Sequence, residues 1–456
     1  MSIKRSETNG ELICSNHSQK SSDDITEFLA WIQSSNKRIN VRIEKTTLTF
    51  SAPWYYDEEK GCIRNPQGSF FSIYGIEVID RSGNNIQQPI IVQNEIGYLG
   101  MLMKVVDGVA YFLMQAKIEP GNINKVQLSP TIQATKSNFT QKHGGRKPAF
   151  LDYFINAKPE NIVVDQIQSE QSSRFLGKRN RNVIVRIEDE IEENENFRWM
   201  TLGQIKALMR YDNLVNMDTR TVISCIPYSM FSEEVPGLKR KNEAPSIKSY
   251  VEIFNYINNY KMHSDGHTKL IPLSELKDWE FNDSGEFVCK HPYPFKMIFC
   301  DISIEGREVK HWCQPLFEAE GIATFGLIYK MVEGIASFLV QAKPEIGCFD
   351  QIELAPSVQL EYGAEASDNT VNKLFFERLD KNIGVKLNVL LSEEGGRFYH
   401  EQNRNILMRI DEDQLCDLPE RYFWCSFTTL NMLCQVNNVL NIQLRNLLSL
   451  LNEDII

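Results

Sequence analysis

With 456 residues and an apolar fraction of 42%, the chain has room for two or three domains, each with a core of its own. A net charge of −11 argues against a general nucleic-acid binder, which needs a positive field to displace counterions, but leaves room for a local basic pocket. No apolar run is long enough to cross a bilayer, residues 1–24 offer no signal peptide, and the ten cysteines form no Cys-x-x-Cys pair. These features point to a reduced, cytoplasmic protein with neither a membrane nor a nucleic-acid partner.

In chain order, residues 1–22 read as a flexible tail. A helix follows, with Ile25, Phe28, Leu29 and Ile32 on one stripe. Residues 41–50 and 70–79 alternate apolar and polar positions as half-buried strands do. Leu99–Val106 and Val109–Lys117 flank Asp107-Gly108, a strong hairpin signal. Glu119-Pro120-Gly121-Asn122 then reads as a turn in which Pro fixes φ and Gly accepts positive φ. After a strand at 182–188, Thr201-Leu202-Gly203-Gln204 has the spacing of a capping box, and 217–226 is a short helix. Residues 229–248 have linker composition, with Lys239-Arg240-Lys241 as a solvated face.

Then the pattern repeats. Val251, Phe254 and Ile257 mark a second opening helix, Glu333-Gly334 a second hairpin, and 442–451 a second closing helix. Residues 88–133 align without gaps on 314–359 with about 18 of 46 positions identical. Ser169-Glu170 answers Ser392-Glu393, Asn180-Arg181-Asn182 answers Asn403-Arg404-Asn405, and Arg220 answers Arg445. Such a period is too long for a solenoid. It implies two copies of one α/β (α+β) domain, a mixed sheet flanked by helices, at 23–228 and 249–456. Trp54, Trp279, Trp199 and Trp424 recur in step and read as core anchors, and packing is the expected fate of Phe70-Phe71.

No nucleophile elbow, P-loop or dinucleotide fingerprint is present, and the histidines are not at metal-ligand spacing. Instead, amides, hydroxyls and cations gather: Lys117, Glu119 and Asn122; Gln133, Thr135, Ser137 and Asn138; His143; Glu170; Arg179, Arg181 and Asn182; Arg220. Amides and hydroxyls suit a ligand rich in hydroxyls, and guanidinium groups grip phosphate oxygens. Each has a plainer alternative: a surface ion pair for Lys117 and Glu119, a helix-terminus clamp for Arg220 and Arg445, a structural role for His143.

The strings Gln-Ala-Lys-Ile-Glu-Pro-Gly-Asn-Ile-Asn (115–124) and Leu-Ser-Pro-Thr-Ile-Gln-Ala-Thr-Lys-Ser-Asn (128–138) resemble the NDP-hexose 2,3-dehydratase family. Gln-Ser-Glu-Gln (168–171), Lys-Arg-Asn-Arg-Asn (178–182), Phe-Arg-Trp (197–199) and Asn-Met-Asp-Thr-Arg (216–220) extend the resemblance in order. Arg-Glu-Val (307–309), Trp-Cys-Gln-Pro (312–315) and Leu-Ala-Pro-Ser-Val-Gln (354–359) are similar to the family's second half.

The resemblance implies a tandem duplication of a Nudix-like α/β/α domain, a homodimer, and dehydration of dTDP-4-keto-6-deoxyglucose to the 3,4-diketo-2,6-dideoxy sugar. That product would be consumed by a 3-ketoreductase or an aminotransferase. The Nudix hydrolase signature is absent from both copies, so neither a magnesium site nor pyrophosphate cleavage is expected, and the reaction needs no cofactor. Under this reading Glu119 or Glu170 is the base, His143 or Lys117 the acid or donor, and Arg181 and Arg220 hold the diphosphate.

The second copy keeps Lys343, Glu345, Gln359, Glu393, Arg404 and Arg445 but lacks the 135–138 motif and the His143 segment. Catalysis is therefore expected in the first copy, with the second as an accessory nucleotide pocket or a structural partner. Two rivals stand beside the dehydratase reading: a non-catalytic sugar-nucleotide-binding protein on the same fold, and an interaction scaffold.

Overall fold

The computed structural model describes all residues except 1, 19–21, 67, 69, 80–82, 137–146, 229–245, 265, 308 and 452–456, and side chains from residue 10 of the first helix onward and from 24 of the second. Ser137, Asn138, His143, the Lys239-Arg240-Lys241 cluster and most of the 229–248 segment thus lie outside the described residues.

Two seven-stranded sheets carry the repeat, and the fold is mixed α+β. In the first, strands run Ile162–Ser169, Arg179–Arg186, Gly97–Val106, Val109–Ile118 and Phe197–Thr201, with Val126–Ser129 beside Val109–Ile118 and Ile132–Ala134 beside Gly97–Val106. The second repeats that order with Val385–Ser392, Gln402–Arg409, Ala323–Val332, Ile335–Pro344 and Tyr422–Ser426. In each, one pair is parallel, Asn180 opposite Gly97 and Asn403 opposite Ala323. Both hairpins turn on two positive-φ residues, Asp107-Gly108 and Glu333-Gly334, as a two-residue turn matched to strand twist requires. Alternate residues then face opposite layers. Met101 and Met103 face the helices 202–208 and 217–224, while Leu102 packs beneath Phe154 of the helix Leu151–Ile155.

The two copies exchange strands. Val41–Thr46 leaves the first copy to pair antiparallel with Phe295–Ile304, Ile43 opposite Ile302. In return His267–Ile271 pairs antiparallel with Ser72–Ile79 of the first copy, Leu270 opposite Ile76. One continuous apolar core spans both copies, so the sequence boundary at 229–248 is not a boundary of packing. Arg220 and Arg445 fasten the centre. Arg220 Nη1 and Nη2 donate to the carbonyls of Val215 (2.6 Å) and Ser392 (2.7 Å), and Arg445 donates to Leu440, Ser169 and the Thr221 hydroxyl. Each thus satisfies one carbonyl just ahead of its own helix and one at a strand end of the other copy.

Local departures from expectation have local causes. Ser2–His17 is a helix rather than a tail: Leu12 is fully buried, and the Ser15 hydroxyl donates to Ala110 O and accepts from Leu202 N. The strand at 41 ends at Thr46 and passes into a short 3-10 turn, Leu48–Phe50. In Ile247–Met262 the buried stripe is Ile253 and Ile257, and Val251 is 62% exposed. Gly121 does not sit at positive φ; that role in the turn falls to Lys125. Its missing side chain serves close approach instead, because a Cβ there would stand 1.6 Å from Phe398 O. Gly347 makes the reciprocal crossing, 2.0 Å from Phe175 O. Among the described residues, no helix is long and apolar enough to cross a membrane.

Candidate active site between the two copies

A cavity of about 290 Å³ opens where the first large sheet meets the second copy. The strand Val109–Ile118 delivers Lys117 and Glu119 to it. Lys117 Nζ donates to Gln133 O (3.3 Å) and lies 4.0 Å from Glu119 Oε1, which accepts from Gln133 Nε2 (2.8 Å). Gln133 Oε1 accepts in turn from Asn216 Nδ2 (3.3 Å). Asn216 caps the helix Met217–Ser224 through its side-chain oxygen, and the first turn of that helix turns Asp218 into the cavity wall. A chain of amides therefore fixes a carboxylate at each end.

The second copy closes the cavity. Its turn after Ser392 brings Glu394, Gly396 and Arg397 to the wall. The Arg397 guanidinium lies over Phe70 (4.5 Å) and Phe71 (4.4 Å) and donates to Gln93 Oε1 (3.1 Å). Lys178 and Asn180 complete the floor, and Asn180 Nδ2 donates to Glu170 Oε2 (2.7 Å) behind it. Near the mouth the wall becomes more exposed and partly aromatic, with Arg307, Val309 and Trp312.

Glu119, Asp218 and Glu394, with Glu170 behind them, thus stand close to Lys117, Lys178 and Arg397 around one cavity. Burial, then the Glu394 charge, pushes Glu170 up to about 8. Burial with Glu394, Glu119 and Glu170 holds Asp218 well above the usual carboxylate range. Glu394 is raised by burial against the opposing pull of Arg397. Burial lowers Lys178 to about 8, with Glu170 opposing. Among the described residues, no group of three or more His, Cys, Asp or Glu is placed to hold a metal ion.

Of the expected residues, Lys117, Glu119, Gln133 and Thr135 line the cavity, with Glu170 just behind. Others are elsewhere. Asn122 sits in the crossing turn, donating to Lys125 O and packed against Gly395. Arg179 stacks on Phe349 (3.7 Å), Arg181 is held by Asp165 and the Tyr98 hydroxyl, and Asn182 donates to Asn180 O. Arg220 gives Nη1 and Nη2 to carbonyls and is not among the residues lining the cavity, which displaces the diphosphate-holding role expected of it. Trp54 and Phe70, expected as packing residues, also face the cavity.

The second copy preserves the scaffold. Gln359 Nε2 donates to Glu345 Oε1 (2.8 Å), Asn441 Nδ2 to Gln359 Oε1 (2.8 Å), Lys343 Nζ to Gln359 O (3.4 Å) and Asn403 Nδ2 to Glu393 Oε1 (2.7 Å). Arg404 is exposed on its strand.

A model of the NDP-hexose 2,3-dehydratase family matches the chain twice, over residues 25–226 and 250–451. The chain belongs to the NDP-hexose 2,3-dehydratase family. It is 37% identical to the dTDP-4-dehydro-6-deoxy-alpha-D-glucopyranose 2,3-dehydratase of Streptomyces violaceoruber, over 93% of this chain and 96% of that one. Proteins of the same name from Saccharopolyspora spinosa (35%, over 94% and 91%) and Amycolatopsis orientalis (34%, over 93% and 89%) are similarly related. Among solved structures, an ADP compounds hydrolase is similar at 14% identity and a TM-score of 0.18, over 30% of this chain and 72% of that one, which is too weak to carry an argument.

The sequence motifs 178–182 and 216–220 contain Lys178 and Asp218, but no role was expected of these two residues or of Glu394 and Arg397 in this NDP-hexose 2,3-dehydratase family member. A signal was present in three of the four. Asp218, Glu394 and Lys178 stand opposite Gln443, Gln171 and Glu401, so they are places where the repeat breaks inside its best-kept motifs.

Proposed function

We propose that the protein removes water across C2 and C3 of dTDP-4-keto-6-deoxyglucose in this cavity, giving the dTDP-3,4-diketo-2,6-dideoxy sugar. One observation carries the reading: the strings that mark the family converge on one cavity. Residues 115–124 supply Lys117 and Glu119, 128–138 supply Gln133 and Thr135, 178–182 supply Lys178 and Asn180, 216–220 supply Asp218, and the second half supplies Arg307 and Trp312.

Burial orients the substrate. The sugar belongs on the charged floor, and the nucleotide toward the mouth, where Trp312 offers an aromatic face and Arg307 a fork for phosphate oxygens. The C4 ketone acidifies the C3 hydrogen; in this reading Glu119 is the base that removes it, and the neighbouring Lys117 ammonium stabilises the enolate. The Nudix-like description of each copy belongs to this proposal too. It is supported by a mixed sheet with one parallel pair and helices on both faces. So do the homodimer and a ketoreductase or aminotransferase that consumes the reactive vicinal diketone.

The test is mass spectrometry of the purified protein with dTDP-4-keto-6-deoxyglucose in D₂O, with an aromatic diamine to trap vicinal diketones. The expected product has lost one water and carries deuterium at C2. Unchanged substrate that still raises the melting temperature, by about 2.7 kcal/mol of stability at 100 times its Kd, would mean a sugar-nucleotide-binding protein. No binding would leave only the scaffold reading.

A further inference from the structure

Resting on that reading of the reaction, we propose that Asp218 is the acid that protonates the departing C2 hydroxyl, with Glu394 of the second copy as a neighbouring charge on the wall of the same cavity. Three independent observations lead there. Asp218 lines the cavity at 2% exposure, and its Oδ2 has no hydrogen-bond partner, so a buried polar atom stands ready to meet a substrate hydroxyl. The amide chain Gln133–Asn216 ties its helix to Glu119, which sets base and acid at two ends of one rigid scaffold. The repeat then separates scaffold from chemistry. Glu345, Gln359 and Asn441 reproduce the amide chain, yet Gln443 and Gln171 replace Asp218 and Glu394. A purely architectural carboxylate at 218 has no reason to be lost where its architecture is kept.

The surroundings raise the proton affinity of Asp218. Glu119 and Lys117 face it from the strand end, Glu170 from the sheet, Glu394 from the second copy's turn, and Arg220 from its own helix. Burial and the three carboxylates outweigh Lys117, which raises its proton affinity.

The step balances. Glu119 takes the C3 proton, and the C–H electron pair becomes the enolate. Its collapse restores the C4 carbonyl, forms the C2–C3 double bond and breaks C2–O, while the Asp218 proton leaves with the hydroxyl as water. Tautomerisation returns the 3-hydroxyl proton to Asp218, and Glu119, having exchanged its proton with solvent, protonates C2.

The experiment compares wild type, D218N, E394Q and E119Q for turnover and for exchange of the C3 hydrogen with D₂O, read as loss of the H3 resonance in unreacted substrate. D218N is expected to lose about 10²- to 10⁴-fold in kcat with little change in KM, yet still to exchange C3–H. E119Q should do neither. E394Q should lose its turnover at lower pH than wild type as pH rises, because removing a neighbouring negative charge lowers the proton affinity of Asp218. D218N turning over within threefold of wild type would overturn the proposal, as would loss of both exchange and turnover with binding intact. Should D218N fail to fold, an unmoved alkaline limb in E394Q would overturn it alone. Failure of wild type to dehydrate would instead sink the reading of function.

Discussion

At Glu119 and at Glu345 the same amide chain holds a glutamate beside a lysine, but what surrounds the two differs in charge. Around Glu119 stand Asp218, Glu394, Lys178 and Arg397, bordering open space. At the matching positions stand Gln443, Gln171, Glu401 and Arg174. Arg174 is committed to Glu361 (3.0 Å) and Glu401 (3.9 Å) and lies over Phe295 (4.3 Å). Glu361 itself replaces Thr135 of the cavity wall. One constellation borders a cavity, and the other is closed by an internal ion pair. Duplication conserved the frame, and the charges on it diverged.

The frame is the part on which both copies depend equally. Gly121→Ala and Gly347→Ala each thrust a Cβ into a carbonyl of the opposite copy, and neither backbone can withdraw without opening the crossing. Each is expected to cost about 3 kcal/mol or more, read as the loss of a cooperative thermal transition at physiological temperature. A wild-type melt for one of them would break the symmetry of the frame.

Activity should be as unequal as stability is equal. Glu119→Gln is expected to lower kcat by roughly 10³-fold, whereas Glu345→Gln should leave it within about threefold. Comparable losses in both would mean two working sites and would reassign the closed constellation.

Both the frame and the asymmetry bear on how far the chain can be read unaided. The hairpins at Asp107-Gly108 and Glu333-Gly334 and the capping box at Thr201 were legible because their cause is local: positive φ in one case, orphan backbone donors in the other. Strand exchange was not, since Val41–Thr46 pairs some 250 residues away and alternation records a buried face but no partner. Gly121 drew notice as a glycine, yet its reason lies on the opposite copy. Recurrence pointed equally to Glu119 and to Arg220, and only geometry separates a carboxylate on a cavity from a guanidinium spent on carbonyls. Asp218 and Glu394 carried the opposite signal, failure to recur, which a search for repeated residues discards.

Arg174 and Arg397 sharpen the comparison at the same sequence position in the two copies. Arg174→Met leaves Glu361 and Glu401 facing each other without their cation, and a broken buried pair costs about 3–5 kcal/mol. Its effect belongs in the melting curve, with kcat/KM of the folded fraction unchanged. Arg397→Met should do the reverse, raising KM for the dTDP-sugar with a smaller loss of stability. Finding the stability cost at Arg397 and the binding cost at Arg174 would invert the assignment.

The smallest expected effect concerns a proton. Glu353 stands where the first copy has Gln127, whose amide donates to Ser392 Oγ (2.8 Å) and Asn124 Oδ1 (3.1 Å). The Glu353 carboxyl is buried, accepts from Ser169 Oγ (3.1 Å), leaves Oε1 without a partner, and is pushed up to about 8 chiefly by that burial. A carboxyl whose proton affinity is higher folded than unfolded makes its full contribution to stability while it is protonated in both states. Its contribution is therefore lost as pH rises from about 4.5 to about 8 and is constant above that. Glu170 and Glu393, raised to about 8 and about 7, act in the same direction. Glu353→Gln copies the first-copy solution and removes one share of the slope. It should stabilise the protein at pH 8 by about 1–2 kcal/mol and do little at pH 5, measured by denaturant titration at both values. An equal shift at both pH values would mean that the buried carboxyl is already ionised, and that the second copy tolerates a charge where the first keeps an amide.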